Sequence, residues 1–256
     1  MNKTCQTQNN NMKNILIFNK NMPEIDFIAR NATDGPEIKL VNNFIRNQLK
    51  QLRKRKSDFA IFLEPQIDNS FPDIVIAEFN KSSFENWNKT RNSLNHSDLK
   101  IYHHIFKTGK TSFKNISKQL GIEEKRLNKI LSKLEVSGLI TKTKLHVTPT
   151  ASKDTLGVKR IISIEAKIGS FAKALLQAQT NKWFASESYV LTDSKVIKET
   201  TKINSAETGI GIFTIDNNKI NKVSSPHKQE YPACFTSLLF NEWIGRRLNK
   251  EQVANS

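Results

Sequence analysis

The hydrophobic period of this chain changes twice, and that double change limits its architecture more than any other feature. Up to residue 79 the pattern is a helix followed by two strand-like runs. Residues 34–52, DGPEIKLVNNFIRNQLKQL, put Leu40, Val41, Phe44, Ile45, Leu49 and Leu52 on one helical stripe, with Asp34 as a cap and Pro36 in the first turn. FAIFLEPQI (59–67) and DIVIAEF (73–79) read as strands, and the turn DNSFP between them implies a hairpin. Residues 80–96, rich in Asn, Ser and Lys, read as a linker.

The period then lengthens to about 3.6, that of an α-helix. LKIYHHIF (99–106), FKNISKQLGI (113–122) and EEKRLNKILSKLEVSG (123–138) read as three short helices, and LITKTKLHVT (139–148) as an extended wing. Strand pattern returns with VKRIISIEAK (158–167), followed by an amphipathic helix over 171–186 and strands at 188–193 and 209–216. A helix with an apolar face closes the sequence over 232–250. An α/β domain interrupted by a small helical one fits this order. The expected division is an N-terminal arm and leading segment (1–33), a first part of the core (34–94), the insert (95–150), and a second part with the C-terminal helix (151–256).

Charge points to the partner. The net charge is +16, a field that favours polyanions. An even compositional bias would spread it along the chain, yet residues 97–148 hold eleven Lys and Arg against four Asp and Glu. A second basic cluster, Lys50, Arg53, Lys54, Arg55 and Lys56, follows the first helix. No apolar stretch approaches the roughly 20 residues that span a bilayer, so no membrane role is expected. The start lacks a signal-type apolar core, and Cys5 and Cys234 are too few for a disulfide framework. Both suit a reducing cytoplasm.

Within the insert, KQLGIEEKRLNKIL has the form of a helix-turn-helix. Gly121 permits the turn, with Leu120 and Ile122 packing beneath it, while Leu127, Ile130, Leu131 and Leu134 hold the third helix on the core. Lys125, Arg126, Asn128, Lys129 and Lys133 stay on the opposite side, free to meet phosphates or base edges. Lys142 and Lys144 of the wing can reach neighbouring phosphates. The insert resembles the winged-helix family over roughly 50 residues, which implies contact with nucleic acid, most simply duplex DNA. A helical protein-binding module with a solvated basic face is the competing reading. His103 and His104, adjacent on a helix, point in different directions and make poor joint metal ligands.

The remaining chemistry lies in three charged residues. Glu165 and Lys167 stand two apart at the end of an apolar strand, hence on one face, where burial is expensive without a partner. Asp73 follows Pro72 at the start of the second hairpin strand, and Pro belongs at a strand start or an edge. If those strands neighbour each other, two carboxylates and a lysine converge. Mg²⁺ would make such a cluster sensible, since it takes hard oxygen ligands and keeps several waters.

Asp73 after Pro72, then Glu165-Ala166-Lys167 on a later strand, resembles the PD-(D/E)XK nuclease superfamily, whose fold is restriction-endonuclease-like. The supporting positions are Ala174, Leu175, Gln177, Ala178, Ala185, the run Ser188-Tyr189-Val190-Leu191, and Gly209-Ile210-Gly211. The resemblance departs from the family in the roughly 80 residues that separate the two motif strands. It implies a mixed central sheet flanked by helices, with the winged helix inserted. It further implies that Asp73, Glu165 and the Ala166 carbonyl hold Mg²⁺ (or Mn²⁺), that Lys167 orients or activates water, and that Gln177 positions Lys167 or a phosphate. Glu37, on the first helix, is a further candidate ligand; it also suits the helix dipole as an N-terminal carboxylate. The activity expected is Mg-dependent endonucleolytic hydrolysis of DNA. A two-fold dimer would suit a nuclease that cuts both strands. The alternatives are a non-catalytic nucleic-acid-binding regulator on the same scaffold and a protein-interaction module.

Overall fold

The structure is a computed structural model that describes residues 15–30, 35–230 and 234–254. The expected N-terminal arm up to residue 14, Cys5 and the Asp34 cap lie outside the described residues. The chain forms two compact units, residues 1–79 with 158–233, and residues 80–157 with 234–256. It enters the first unit with β1 (Ile15–Phe18), α1 (Pro36–Leu52), β2 (Asp58–Leu63) and β3 (Ile74–Phe79). It passes through the second as α2 (His96–Thr108), β4 (Thr111–Ser112), α3 (Phe113–Leu120), α4 (Glu124–Val136), β5 (Ile140–Lys142), β6 (His146–Pro149) and α5 (Ser152–Thr155). It returns for β7 (Val158–Ala166), α6 (Phe171–Thr180), β8 (Glu187–Asp193), α7 (Glu199–Thr208), β9 (Gly211–Asp216) and β10 (Lys219–Ser224), and ends in the second unit with α8 (Phe235–Ala254).

The first unit is a seven-stranded mixed sheet in the order β1-β2-β3-β7-β8-β9-β10. β2, β3 and β7 form an antiparallel meander, whereas β7, β8 and β9 run parallel. β3 reads IVIAEF with nearly every residue buried, the pattern of a strand covered on both faces. One cover is α1: Leu40, Phe44, Ile45 and Leu52 pack with Ile76, Ile164, Ala166, Tyr189 and Leu191. On the opposite face of the sheet, over β7 and β8, Ala174, Leu175 and Ala178 of α6 pack with Val190 and Ile210. Burying each Leu, Ile or Phe of such layers contributes about 1.5–3 kcal/mol.

The hairpin and the central strands stand where the pattern puts them, but both sheet edges differ from expectation. β1 lies in the segment expected to lead into the first helix, and pairs parallel with β2, where Phe18 stacks on Phe62. β10 pairs antiparallel with β9 through a two-residue turn at Asn217 and Asn218, both with positive φ. β2 stops at Leu63, short of the expected residue 67, because Pro65 follows Glu64, which takes a left-handed φ of 46°. The helix expected to run to residue 186 ends at Thr180 and passes into a 3-10 turn, Asn181–Trp183.

The second unit holds α2, α3 and α4 over the small sheet β4-β6-β5. Its core joins Leu99, Tyr102, Ile105, Ile116, Leu131, Leu134, Leu139 and Val147, all buried. Residues 80–96 are not a plain linker. They form two 3-10 turns, capped by Asn80 and Asn88, and bury Phe84, Trp87, Arg91 and Leu94. The C-terminal helix belongs here rather than with residues 151–233. Its Leu238, Leu239, Phe240, Trp243 and Ile244 are buried, Glu242 pairs with Arg91, and Asn241 Oδ1 accepts the Gly157 N–H at 2.8 Å. Gly245 admits the Trp87 ring: a Cβ there would lie 2.2 Å from it. The two ends of the insertion meet as well, the Asn80 N–H donating to the Gly157 carbonyl at 2.8 Å.

Candidate functional site

Antiparallel pairing of β3 with β7 sets Ile74 opposite Ile164, which puts Asp73 and Glu165 side by side where the two strands end. Glu165 alternates with Ala166 on β7, so it faces the α6 side while Ala166 enters the α1 core. The Asp73 carboxylate accepts the Ala166 N–H at 2.7 Å. Asn181, buried in the turn after α6, donates its side-chain N–H to Glu165 Oε1 at 2.6 Å.

Both acids hold their protons unusually well. Burial raises Asp73 to about 6; the Ala166 N–H pulls the other way, and Glu64 and Glu37 push it further up. Glu165 rises to about 8, first through burial and then through the charge of Asp73 beside it. At 3% exposure, Glu165 cannot shed that cost to solvent. A buried and a half-buried carboxylate, side by side and both with raised proton affinity, suit a positive ion.

Lys167 follows directly after β7. Its N–H still donates to Leu191 O at 2.9 Å, and its carbonyl accepts from Thr192 Oγ1 at 2.7 Å. Its ammonium lies 2.8 Å from Glu37 Oε1 on the first turn of α1. The positive charge of Lys167 still acts on Glu165, favouring the ionised form. A cleft of 370 Å³ beside Asp73 is lined by Arg30, Glu37 and Glu64. Arg30 pairs with Glu64 and lies over the Phe71 ring.

The structure thus gathers Asp73, Glu165, Ala166, Lys167 and Glu37 at one place, with Glu37 holding the lysine rather than joining the two acids. Gln177 is not brought in: it is exposed on α6, one turn ahead of Asn181. Asn181 is the site residue that sequence reasoning missed. Its i+4 spacing from Gln177 gave no signal, because α6 ends at Thr180 and Asn181, already in the 3-10 turn, is buried while Gln177 is exposed. Among the described residues no group of three or more His, Cys, Asp or Glu forms a metal cluster. The donor set is two carboxylates and a carbonyl, which fits Mg²⁺, an ion bound through one or two carboxylates and several waters.

In the second unit, Gly121 takes a left-handed φ of 62° and closes α3, and Ser117 Oγ donates to Ile122 O at 2.7 Å across the turn. Ile116 fills the space beneath; Leu120, expected there, is turned outward and Ile122 is half-buried. Leu127, Ile130, Leu131 and Leu134 are buried, while Lys125, Arg126, Asn128 and Lys129 are exposed. Two of the expected cations are partly engaged. Lys133 lies 3.2 Å from the buried Asp98, and Lys142 donates to Ser132 at 3.2 Å with Glu135 at 3.6 Å. Lys144 stands exposed between β5 and β6.

Residues 94–141 match the winged helix-turn-helix DNA-binding family. No curated protein and no solved structure gives a significant match to the chain. The chain therefore carries a winged-helix DNA-binding domain beside a mixed α/β unit. Among the described residues no helix is long and apolar enough to cross a membrane.

Proposed function

We propose that the protein is a metal-dependent DNA endonuclease, in which the winged-helix domain binds duplex DNA and the α/β unit hydrolyses the phosphodiester. The observation that carries this reading is the pair of half-buried Asp73 and buried Glu165, facing each other with raised proton affinity and with Lys167 two residues after Glu165. Such a pair is a standing electrostatic cost to the fold, sensible where a cation is to be held.

Asp73, Glu165 and the Ala166 carbonyl would hold Mg²⁺ or Mn²⁺. When bound, the ion supplies Lewis-acid polarisation of the phosphoryl oxygen and lowers the pKa of a coordinated water. The chain's own residues do the rest. The Ala166 N–H fixes one Asp73 oxygen and Asn181 fixes one Glu165 oxygen, and the two carboxylates share a hydrogen bond whose proton a bound ion would displace. Lys167, held by Glu37 and through its backbone by Leu191 and Thr192, offers a positive charge to the attacking water and to charge developing on the phosphate. Arg30 lines the adjoining cleft in an ion pair with Glu64, and would reach a neighbouring phosphate only by exchanging that partner.

The test is incubation of plasmid DNA with Mg²⁺ or Mn²⁺, beside Asp73→Asn and Lys167→Ala proteins, with DNA binding followed in parallel by mobility shift. Strand cleavage by the wild type that falls about 10²-fold or more in both variants, with DNA binding intact, is expected. Binding without cleavage under either metal would instead favour a non-catalytic regulator.

A further inference from the structure

At the opposite ends of the same strands lies a second cleft, of 410 Å³, between the C-terminal half of α1 and the sheet. It lies away from the carboxylate site: Glu78 and Arg160 end β3 and β7 here, as Asp73 and Glu165 end them there. Four cations line it, Arg55, Arg160, Lys222 and Lys228, against one carboxylate, Glu187. The charge of Arg160 is already matched, since its Nη1 donates to Glu187 at 3.0 Å and its Nη2 to Glu78 at 2.6 Å. Its Nε is nonetheless buried without a partner, an uncommon state for a donor. Arg55, Lys222 and Lys228 are exposed at the rim and form no ion pair among the described residues.

The walls are apolar, with Phe213 and Ile220 half-exposed to the cleft. At the floor, Tyr189 donates its hydroxyl to Glu187 at 2.9 Å, and burial and Glu187 together push its phenol upward. A cleft of this size lies within the range that takes small organic ligands. Apolar walls, a floor carboxylate whose two oxygens each already accept one hydrogen bond, and rim cations outside any salt bridge, with Lys222 Nζ 5.5 Å from the Tyr189 ring centre, suit a ligand with a flat apolar body and an anionic end. We propose that this cleft binds a nucleotide unit, its phosphate on Arg55, Lys222 and Lys228 and its base between the apolar walls and Glu187. The basic cluster after α1 then has a local use in Arg55. This assignment does not depend on the carboxylate site.

The experiment is isothermal titration of the full chain in EDTA with deoxyguanosine 5′-monophosphate, with deoxyguanosine and with inorganic phosphate. The monophosphate is expected to bind at least about tenfold more tightly than either part alone, since the two halves of the cleft act together. The double variant Arg55→Ala/Lys222→Ala, altering only exposed side chains, is expected to lose at least tenfold in that affinity. Lys219→Ala, also exposed on β10 but outside the cleft, should change it less than twofold. A 5′-phosphorylated trinucleotide distinguishes the sources. Equal loss for it in the double variant assigns the cleft to a strand end, and loss for the monophosphate alone assigns it to a free nucleotide. No binding of the monophosphate or the trinucleotide, binding of phosphate as tight as of the monophosphate, or affinity unchanged in the double variant would overturn the proposal.

Discussion

Asp73→Asn offers a direct reading of the electrostatics at the strand ends. The amide oxygen can still accept the Ala166 N–H, so the local geometry is retained while one negative charge disappears. In the wild type Glu165 is raised from its ordinary 4.5 to about 8, so between those values the folded state holds a proton that the unfolded state has released. Stability is therefore greatest below the unfolded value and falls as pH rises towards 8. Asp73 behaves likewise between 3.8 and about 6. One proton differing between the states changes stability by about 1.4 kcal/mol per pH unit, so going from pH 5.5 to 8 costs the metal-free wild type about 3 kcal/mol. For a protein of this size that is about 6–12 °C in Tm. In Asp73→Asn the repulsion is gone and the amide can donate to Glu165, so part of that slope should vanish, burial keeping the rest, and the variant should gain stability relative to wild type at pH 8 but not at pH 5.5. Calorimetry in EDTA at both pH values measures it. The reasoning fails if the wild type is equally stable at both, or if the variant keeps the full slope.

Three further outcomes are expected. Millimolar Mg²⁺ at pH 8 should raise the Tm of the wild type, by about 2.7 kcal/mol of stability at a hundred times its Kd, and leave Asp73→Asn unmoved in a thermal melt. In DNA binding, Lys129→Ala should reduce the slope of log K against log salt by about 0.9, whereas Lys133→Ala should do less because Asp98 already holds its ammonium; fluorescence anisotropy across a salt series decides. Arg91→Met should cost about 3–5 kcal/mol in denaturant unfolding by leaving Glu242 buried and uncompensated, and adding Glu242→Leu should restore most of it.

The central strands, α1 and the three helices of the winged domain were legible because each carries a long, consistent hydrophobic period. The sheet edges were not. β10, KINKVS, is largely exposed and polar, so no alternation marks it, and β1 spans only four residues. Residues 80–96 read as linker because two short 3-10 turns bury single aromatic residues without any repeat. At the candidate site, Asp73, Glu165 and Lys167 were legible as charges at the ends of apolar runs. Asn181 was not, because a helix turning 3-10 at Thr180 re-aims the side chain that follows. Gln177, inside the regular part of α6, faces solvent.

The hydrogen bond between Asn80 and Gly157 bears on how the two acids come to meet at all. Asp73 and Glu165 are separated by more than 90 positions, and closing so long a chain from the unfolded state carries an entropic cost that grows with the logarithm of its length. Pinning residues 80 and 157 together removes most of that length from the loop, leaving only the short strand ends to be ordered. If residues 80–157 condense first, β3 and β7 are delivered as near neighbours and pair almost as a hairpin would. The DNA-binding segment then acts as a folding clamp for the sheet. A substitution that loosens its closure, far from either acid, should slow the appearance of the carboxylate pair without altering its final geometry.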